Sequence, residues 1–516
     1  MKSTFTLFFL LLVIVAYGQI NQTERIELPF KYSDENYLVV MAEEQGIILF
    51  RESSKHVNRK ESWEVMVLDT LLEETINLNV EVNYKYTFMG YEYNAGDFYL
   101  LFNDKSTAKS KFLLSKISLE NGSIDTYEIE NELKMDVSHL IINSQSIVLG
   151  GYINYRATFV VFDYINDKVK VVPGFFSSKS EVLDFNYDEH HQSYNVLMGQ
   201  RNAINHNEIA LKSFGHDGQI LVDVKYELNQ NWRALNGRMI IGSNDKIIVS
   251  GSFADNNSYF SQGYYFGSLA PGDHMKMEYI GFAELDHFFD YMNPKRAMKM
   301  KKRVLDAKIK NKSFDYKSQV YVHELKQQSD QYLITSELYK PEFKESSSPL
   351  GYNSAADKGY RDKTAQKYVT RSSKLTKTEG ASHISYYESV ILGVDLDGKL
   401  LWDRSMSLID AETLSLEQVA KINNVGNEVI SLYKKDHNIS YHTFDLTSGM
   451  EVDSTLAIDT FEEFDEVKMG SERQGKVEYW YDNKFVIWGY QKINNPRLAA
   501  KDERRNIFFI NKLVIE

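Results

Sequence analysis

Along most of the chain, three to five apolar residues follow a turn residue or two, and this phrase returns about every fifty residues. The copies are EQGIILFRE from Glu44, GDFYLLFND from Gly96, QSIVLGGYI from Gln145, QSYNVLMGQ from Gln192, DKIIVSGSF from Asp245, DQYLITSEL from Asp330, NEVISLYKK from Asn427 and NKFVIWGYQ from Asn483. Most are preceded by another apolar run, such as NYLVVMA from Asn36, SHLIIN from Ser138 and NGRMIIG from Asn236, which supplies a strand before the phrase. A hairpin follows it. Its turns are Asn121-Gly122, Asn166-Asp167, Asp217-Gly218, Pro271-Gly272-Asp273, Asp397-Gly398 and Ser448-Gly449, with Glu73-Glu74 less typical in the first unit. Asn-Gly and Asp-Gly point to type I′ turns, where both central residues need positive φ.

Units one to seven therefore hold four strands each. In the sixth, VILGVDLDG and KLLWDRS alternate apolar and polar residues as a half-buried pair does, and Trp402 is expected between neighbouring sheets. Four strands per unit of about fifty residues is the pattern of a β-propeller blade. The last unit supplies three strands, ending at NIFFINKLVIE, and RIELPF (Arg25 to Phe30) offers the fourth. The expected fold is all-β: a propeller of eight four-stranded blades, seven if one unit is a broken sheet, closed by the N-terminal strand within the last blade.

Two spacings exceed the others, by about 34 and about 46 residues, and each contains a segment that does not read as strand. Residues 284–317 form a basic insertion in which Asn293 and Pro294 open a helix. Met298, Leu305 and Ile309 share one helical face with the lysines mostly opposite, as in a solvated charged helix packed on the rim of an acidic propeller or one that binds an anionic surface. Residues 343–383, rich in Ser, Lys, Thr and Gly, read as a flexible loop insertion between the second and third strands of unit six. The rest of 19–516 reads as a single propeller domain.

Residues 1–18, with Lys2, an apolar run from Phe5 to Val15 and Ala16-Tyr17-Gly18, read as a secretory signal peptide. The run is shorter than the ~20 apolar residues of a membrane span, and no span is expected in the mature chain. The expected location is outside the cytoplasm of a bacterium, periplasmic or at the cell surface. Zero cysteines exclude disulfides, thiolate metal sites and thiol nucleophiles. A net charge of −13 argues against nucleic acid, yet nine basic residues and one acid lie between Lys295 and Lys312. Lys295, Arg296, Lys299, Lys301, Lys302 and Arg303 are the candidate contacts for an acidic partner, protein or glycan.

Motifs of hydrolases, zincins, P-loops and dinucleotide folds are missing. His190-His191, with His206 and His216 nearby, fall in a turn-like stretch, DEHHQS, and adjacent side chains on a strand diverge, so no metal is assigned. Asp395-Leu396-Asp397-Gly398 resembles the start of a calcium loop, but Lys399 stands where another oxygen ligand would be needed, and a hairpin turn explains it better. Tyr479 and Tyr481, in a stretch with Trp480, Trp488 and Tyr490, are candidate sugar-stacking residues, although core packing also accounts for such aromatics.

HFFDYMNPKRAMKMKKR, YVHELKQQSDQYLITSELYKPEF, SVILGVDLDGKLLWDRSM, YWYDNKFVIWGYQKINN and FFINKL together resemble a group of secreted bacterial proteins of predicted propeller type, over about Leu285 to Leu513. The resemblance implies a shared architecture and export, and it carries over no catalytic residue. DLDGKLLW is also similar to single repeats of quinoprotein-type propellers; one unit alone matches, and no cofactor is implied. The expected function is non-enzymatic binding or scaffolding through the rim and the basic insertions. The alternative is a carbohydrate- or peptide-active hydrolase with acids at the channel.

Overall fold

The computed structural model describes residues 20–516 apart from 32, 54–59, 105–109, 132–134, 176–179, 230, 243–244, 313, 329, 344–381, 469–472 and 500–502. The signal-peptide segment and nearly all of the loop insertion lie outside the described residues.

The fold class is the expected one, an all-β, eight-bladed β-propeller with one α-helix among the described residues; in seven blades four antiparallel strands lie side by side in chain order, and the eighth sheet has five strands, with Glu466–Val467 and Arg473–Tyr481 both pairing with Lys484–Asn494 and the N-terminal strand at its edge. Blade 4, for example, runs from its inner strand Glu181–Asp188 through Ser193–Arg201 and Asn207–Phe214 to its outer strand Ile220–Glu227. Second strands are apolar on both faces and buried, as in Ile247–Asp255 of blade 5, because a sheet covers each side. The outer strand Ile220–Glu227 alternates half-buried and exposed positions, because one face meets solvent.

The chain forms two compact units: Lys31–Ala420 with blades 1 to 6, and Lys421–Glu516 joined by the N-terminal segment through Phe30, with blades 7 and 8. In blade 8 the N-terminal strand Ile20–Pro29 pairs with Arg504–Ile515, placing Ile26 opposite Ile510 and Glu27 opposite Phe509. The join is pinned by charge as well as by the ladder. Arg25 donates to Asn511 Oδ1 at 2.7 Å and pairs with Glu27 at 2.8 Å, and Arg505 reaches Glu27 at 3.1 Å while also holding Asp465.

In the outer hairpins the turns differ from expectation. Positive φ falls on one residue per turn, Gly398 at 91° or Gly272 at 76°, and not on the residue before it, so these are turns with a single left-handed position rather than type I′. In the turn of blade 6 an aspartate at the entrance holds this form. Asp395 Oδ1 accepts from the backbone of Asp397 and of Lys399, both at 2.9 Å, and so fixes the preceding residues right-handed. Trp402 is half-buried on its own sheet, lying over Gly393 and donating to Gln331 Oε1 at 3.0 Å.

Six inner strands carry the same irregularity, a one-residue bulge against the second strand, for example at Val137/His139, Val182/Asp184, Ala234/Asn236 and Val322/Glu324. Polar side chains at or just after the bulge bond to the backbone of the next blade. Asp184 accepts from Met239 N at 2.9 Å, and Asn186 donates to Met239 O at 2.7 Å. Asn236 donates to Val320 O at 2.8 Å, and Arg238 Nε donates to His323 O at 2.6 Å. Glu337, on the second strand of blade 6, accepts from Val419 N and Ala420 N in the link that follows the blade. These buried groups join blade to blade where no continuous ladder does.

Candidate interaction surface

The basic insertion leaves the outer strand of blade 5 (Lys276–Gly281) and returns as the inner strand of blade 6 (Val320–Gln328). Its helix, α1, spans Pro294–Ile309; Asn293 caps it by accepting from Arg296 N at 3.0 Å, and Pro294 opens it, as the sequence suggests. The apolar stripe read from the sequence is not the one that packs. Ala297, Met300 and Val304 are the buried residues, while Met298, Leu305 and Ile309 are 73%, 57% and 72% exposed.

The segment before the helix explains which stripe packs. Leu285, Phe288, Phe289 and Met292 enter the core shared by blades 5 and 6, with Phe288 stacked on Phe282 at 4.1 Å and Phe289 edge-on to Tyr316 at 5.2 Å. Tyr291 and Tyr316 bond through their hydroxyls at 2.8 Å. On the outer strand of blade 6 (Leu400–Thr413), the Asp403 carboxylate accepts from Asp286 N at 2.9 Å and His287 N at 2.7 Å, and Ser405 donates to His287 O at 3.2 Å. Beside them Glu388 is fully buried, and burial pushes its carboxyl well above the usual range despite Ser405 nearby. With this loop fixed, α1 can turn only one of its two apolar stripes inward.

Of the candidate cations, Lys301 pairs with Asp290 at 2.8 Å, and Arg303 lies 5.4 Å from the Phe314 ring. Lys295, Arg296, Lys299 and Lys302 are exposed and have no ion-pair partner among the described residues. The surface thus presents four uncompensated charges around three aliphatic side chains on a helix anchored from beneath.

Tyr479 and Tyr481 belong to the unit of blades 7 and 8, on the inner strand Arg473–Tyr481. Both are half-buried; Tyr479 donates to Asp482 O at 3.3 Å, and Lys484 lies 4.2 Å from the Tyr481 ring. Trp480, Trp488 and Tyr490 are buried in the core, so alternation splits this aromatic run.

The histidine cluster disperses. Residues 189–192 form the turn between the first two strands of blade 4. His191 is held by Asp245 at 2.9 Å and Asp188 at 3.2 Å, which raise its pKa. His206 bonds Glu227 at 2.6 Å, and His216 lies 3.0 Å from the Tyr187 hydroxyl, its pKa lowered by burial. Among the described residues no group of His, Asp or Glu is placed to hold a metal.

Three inner-strand acids face cations: Asp184 faces Arg238 at 3.2 Å, Glu324 faces Lys326 at 3.0 Å and Glu478 faces Lys421 at 2.9 Å. A depression of about 220 Å³ on blade 1 has its acids Glu64 and Glu81 paired with Arg51 and Lys60. Among the described residues no helix is long and apolar enough to cross a membrane.

No family model matches the chain, and no curated protein does. Among solved structures it is similar to the β-propeller domain of the trilobed protease from Pyrococcus furiosus, with 10% identity over 82% of this chain and 93% of that one and a TM-score of 0.33. It is similar to the polysaccharide lyase Uly1, with 9% identity over 93% of this chain and 99% of that one and a TM-score of 0.38. It is also similar to prolyl oligopeptidase B from Galerina marginata, with 7% identity over 88% of this chain and 55% of that one and a TM-score of 0.39. Likenesses at this level carry nothing about chemistry, and the fold rests on the chain's own strand pairing.

Proposed function

We propose that the protein is an exported, non-enzymatic binding propeller of a bacterial envelope, akin to the group of secreted propeller proteins that its second half resembles, and that its basic insertion captures a polyanionic partner. An acidic protein segment and an acidic glycan offer the same chemistry, carboxylates or sulfates spaced along a chain. The observation that carries the reading is the state of α1: a helix mounted by buried side chains, holding Lys295, Arg296, Lys299 and Lys302 outward without counter-charges among the described residues. Charges held ready on a rigid support give electrostatic capture without an ordering cost.

The hydrolase alternative has less support. Catalytic carboxylates need one member free to exchange a proton, and Asp184, Glu324 and Glu478 each face a cation.

Salt-gradient elution from immobilised poly-glutamate and from a carboxylated glycan tests the reading. The native chain should be retained on at least one, and the K295E/K299E/K302E variant should lose retention on the order of tenfold while keeping its circular dichroism. Retention of neither kind, or equal retention of the variant, contradicts it.

A further inference from the structure

The chain path places particular loops at particular ends of the blades. An inner strand runs toward one end, and the three that follow alternate, so the links between strands two and three and those from an outer strand to the next blade all open at the other end. Within the six-blade unit this is the end that carries α1.

Large apolar residues stand exposed at those links. Tyr84 lies between blades 1 and 2, Tyr155 in blade 3, Ile204 in blade 4, and Tyr259 and Phe260 in blade 5. Met298, Leu305 and Ile309 add the outer stripe of α1. The opposite end of the same unit carries Leu71, Ile165 and Leu396 in its turns.

Tyr155 is the most telling. It is 92% exposed, and its φ of 62° follows Asn154 at 49°, a two-residue turn in which a glycine would be relaxed and a bulky side chain is strained. The fold gains nothing from a ring held there in water.

Charge at this end is lopsided. Asp104 faces Lys85 at 3.3 Å, Glu227 faces His206 at 2.6 Å and Asp255 faces Lys317 at 2.7 Å, whereas the four outward cations of α1 have no such partner among the described residues. The insertion itself carries ten basic residues against five acids between 284 and 317. α1 is also convex: its apolar side chains recur at one- and two-turn intervals between lysines, with the core on the other side. A peptide needs a groove, while a headgroup layer yields around a convex helix and takes aliphatic tips, tyrosines and lysines at their preferred depths.

We infer that this end of the six-blade unit docks on an anionic lipid bilayer, with α1 lying in the headgroup layer and the loop tips beside it. The inference deepens the binding reading by naming the polyanion as a membrane surface, and it stands additionally on the loop tips, which that reading does not use.

Co-sedimentation with phosphatidylcholine vesicles, alone or mixed with phosphatidylglycerol, tests it. The native chain should follow the mixed vesicles and leave the neutral ones, and salt should release it. Each lysine of α1 made neutral should lower partition about fivefold. Leu305→Glu with Ile309→Glu should lower it about tenfold or more with the lysines intact. Tyr155→Gly relieves the turn, so it should keep or raise thermal stability and still weaken vesicle binding. No sedimentation with mixed vesicles, or sedimentation unchanged by the Leu305/Ile309 pair and by Tyr155→Gly, overturns the inference. A chain retained on poly-glutamate or glycan that ignores vesicles removes the membrane inference alone. One that ignores all of them removes the binding reading too.

Discussion

Glu478 sits on the inner strand of blade 8 between Lys421, 2.9 Å away on the inner strand of blade 7, and Lys476 at 2.8 Å. Burial works to raise its pKa, and Lys421 and then Lys476 overcome it, holding the carboxyl at about 2 against an ordinary 4.5. A folded-state value depressed in this way gives stability that is whole above the ordinary value and drains as pH falls toward the folded one. Unfolding midpoints measured between about pH 6 and pH 2 should therefore fall more steeply for the native chain than for Glu478→Gln, which should be less stable at neutral pH and flatter in acid. Parallel curves would remove the ion triad from the account. Nothing around Glu478 in the sequence marks it, because Lys421 is far away in the chain and meets it only when the two inner strands lie side by side. Asp184, Asn236 and Glu337 were hidden for the same reason: a lone polar residue in an apolar strand shows that something is bonded, not what.

Elements were more legible, and the exceptions have definite causes. The spacing of Asn121-Gly122, Asp397-Gly398 and the other turns located the outer hairpins, while the turns carry a single left-handed position, held in blade 6 by the entering Asp395. Asn293 and Pro294 marked the start of α1, but periodicity could not choose between its two apolar stripes; the loop around Phe288 chose. The turn glycines separate backbone strain from packing. Gly272 has open space around a Cβ, whereas a Cβ on Gly398 would come 2.3 Å from the Phe266 ring of blade 5. Gly272→Ala should cost about 1 kcal/mol from its left-handed φ alone, and Gly398→Ala should cost about 1–3 kcal/mol more in denaturant unfolding. Equal losses would mean that the turn of blade 6 does not press on blade 5.

At the scale of the molecule, the eight-fold repeat and the sharing of blade 8 by the chain's two ends followed from apolar phrases and two over-long spacings, because period is a property of sequence alone. The candidate surface was legible as charge, in Lys295 to Arg303, and illegible as apolar tips. Tyr84, Tyr155 and Ile204 are unremarkable until the strand directions gather them at one end. Since the chain has no cysteine, a single engineered thiol reports from one place. An environment-sensitive fluorophore on Ile309→Cys probes the α1 end, and one on Leu396→Cys, in the outer turn of blade 6, probes the opposite end. On adding phosphatidylglycerol-containing vesicles, the label at 309 should shift to the blue and the label at 396 should stay unchanged. A shift at 396 alone, at both positions or at neither contradicts the account.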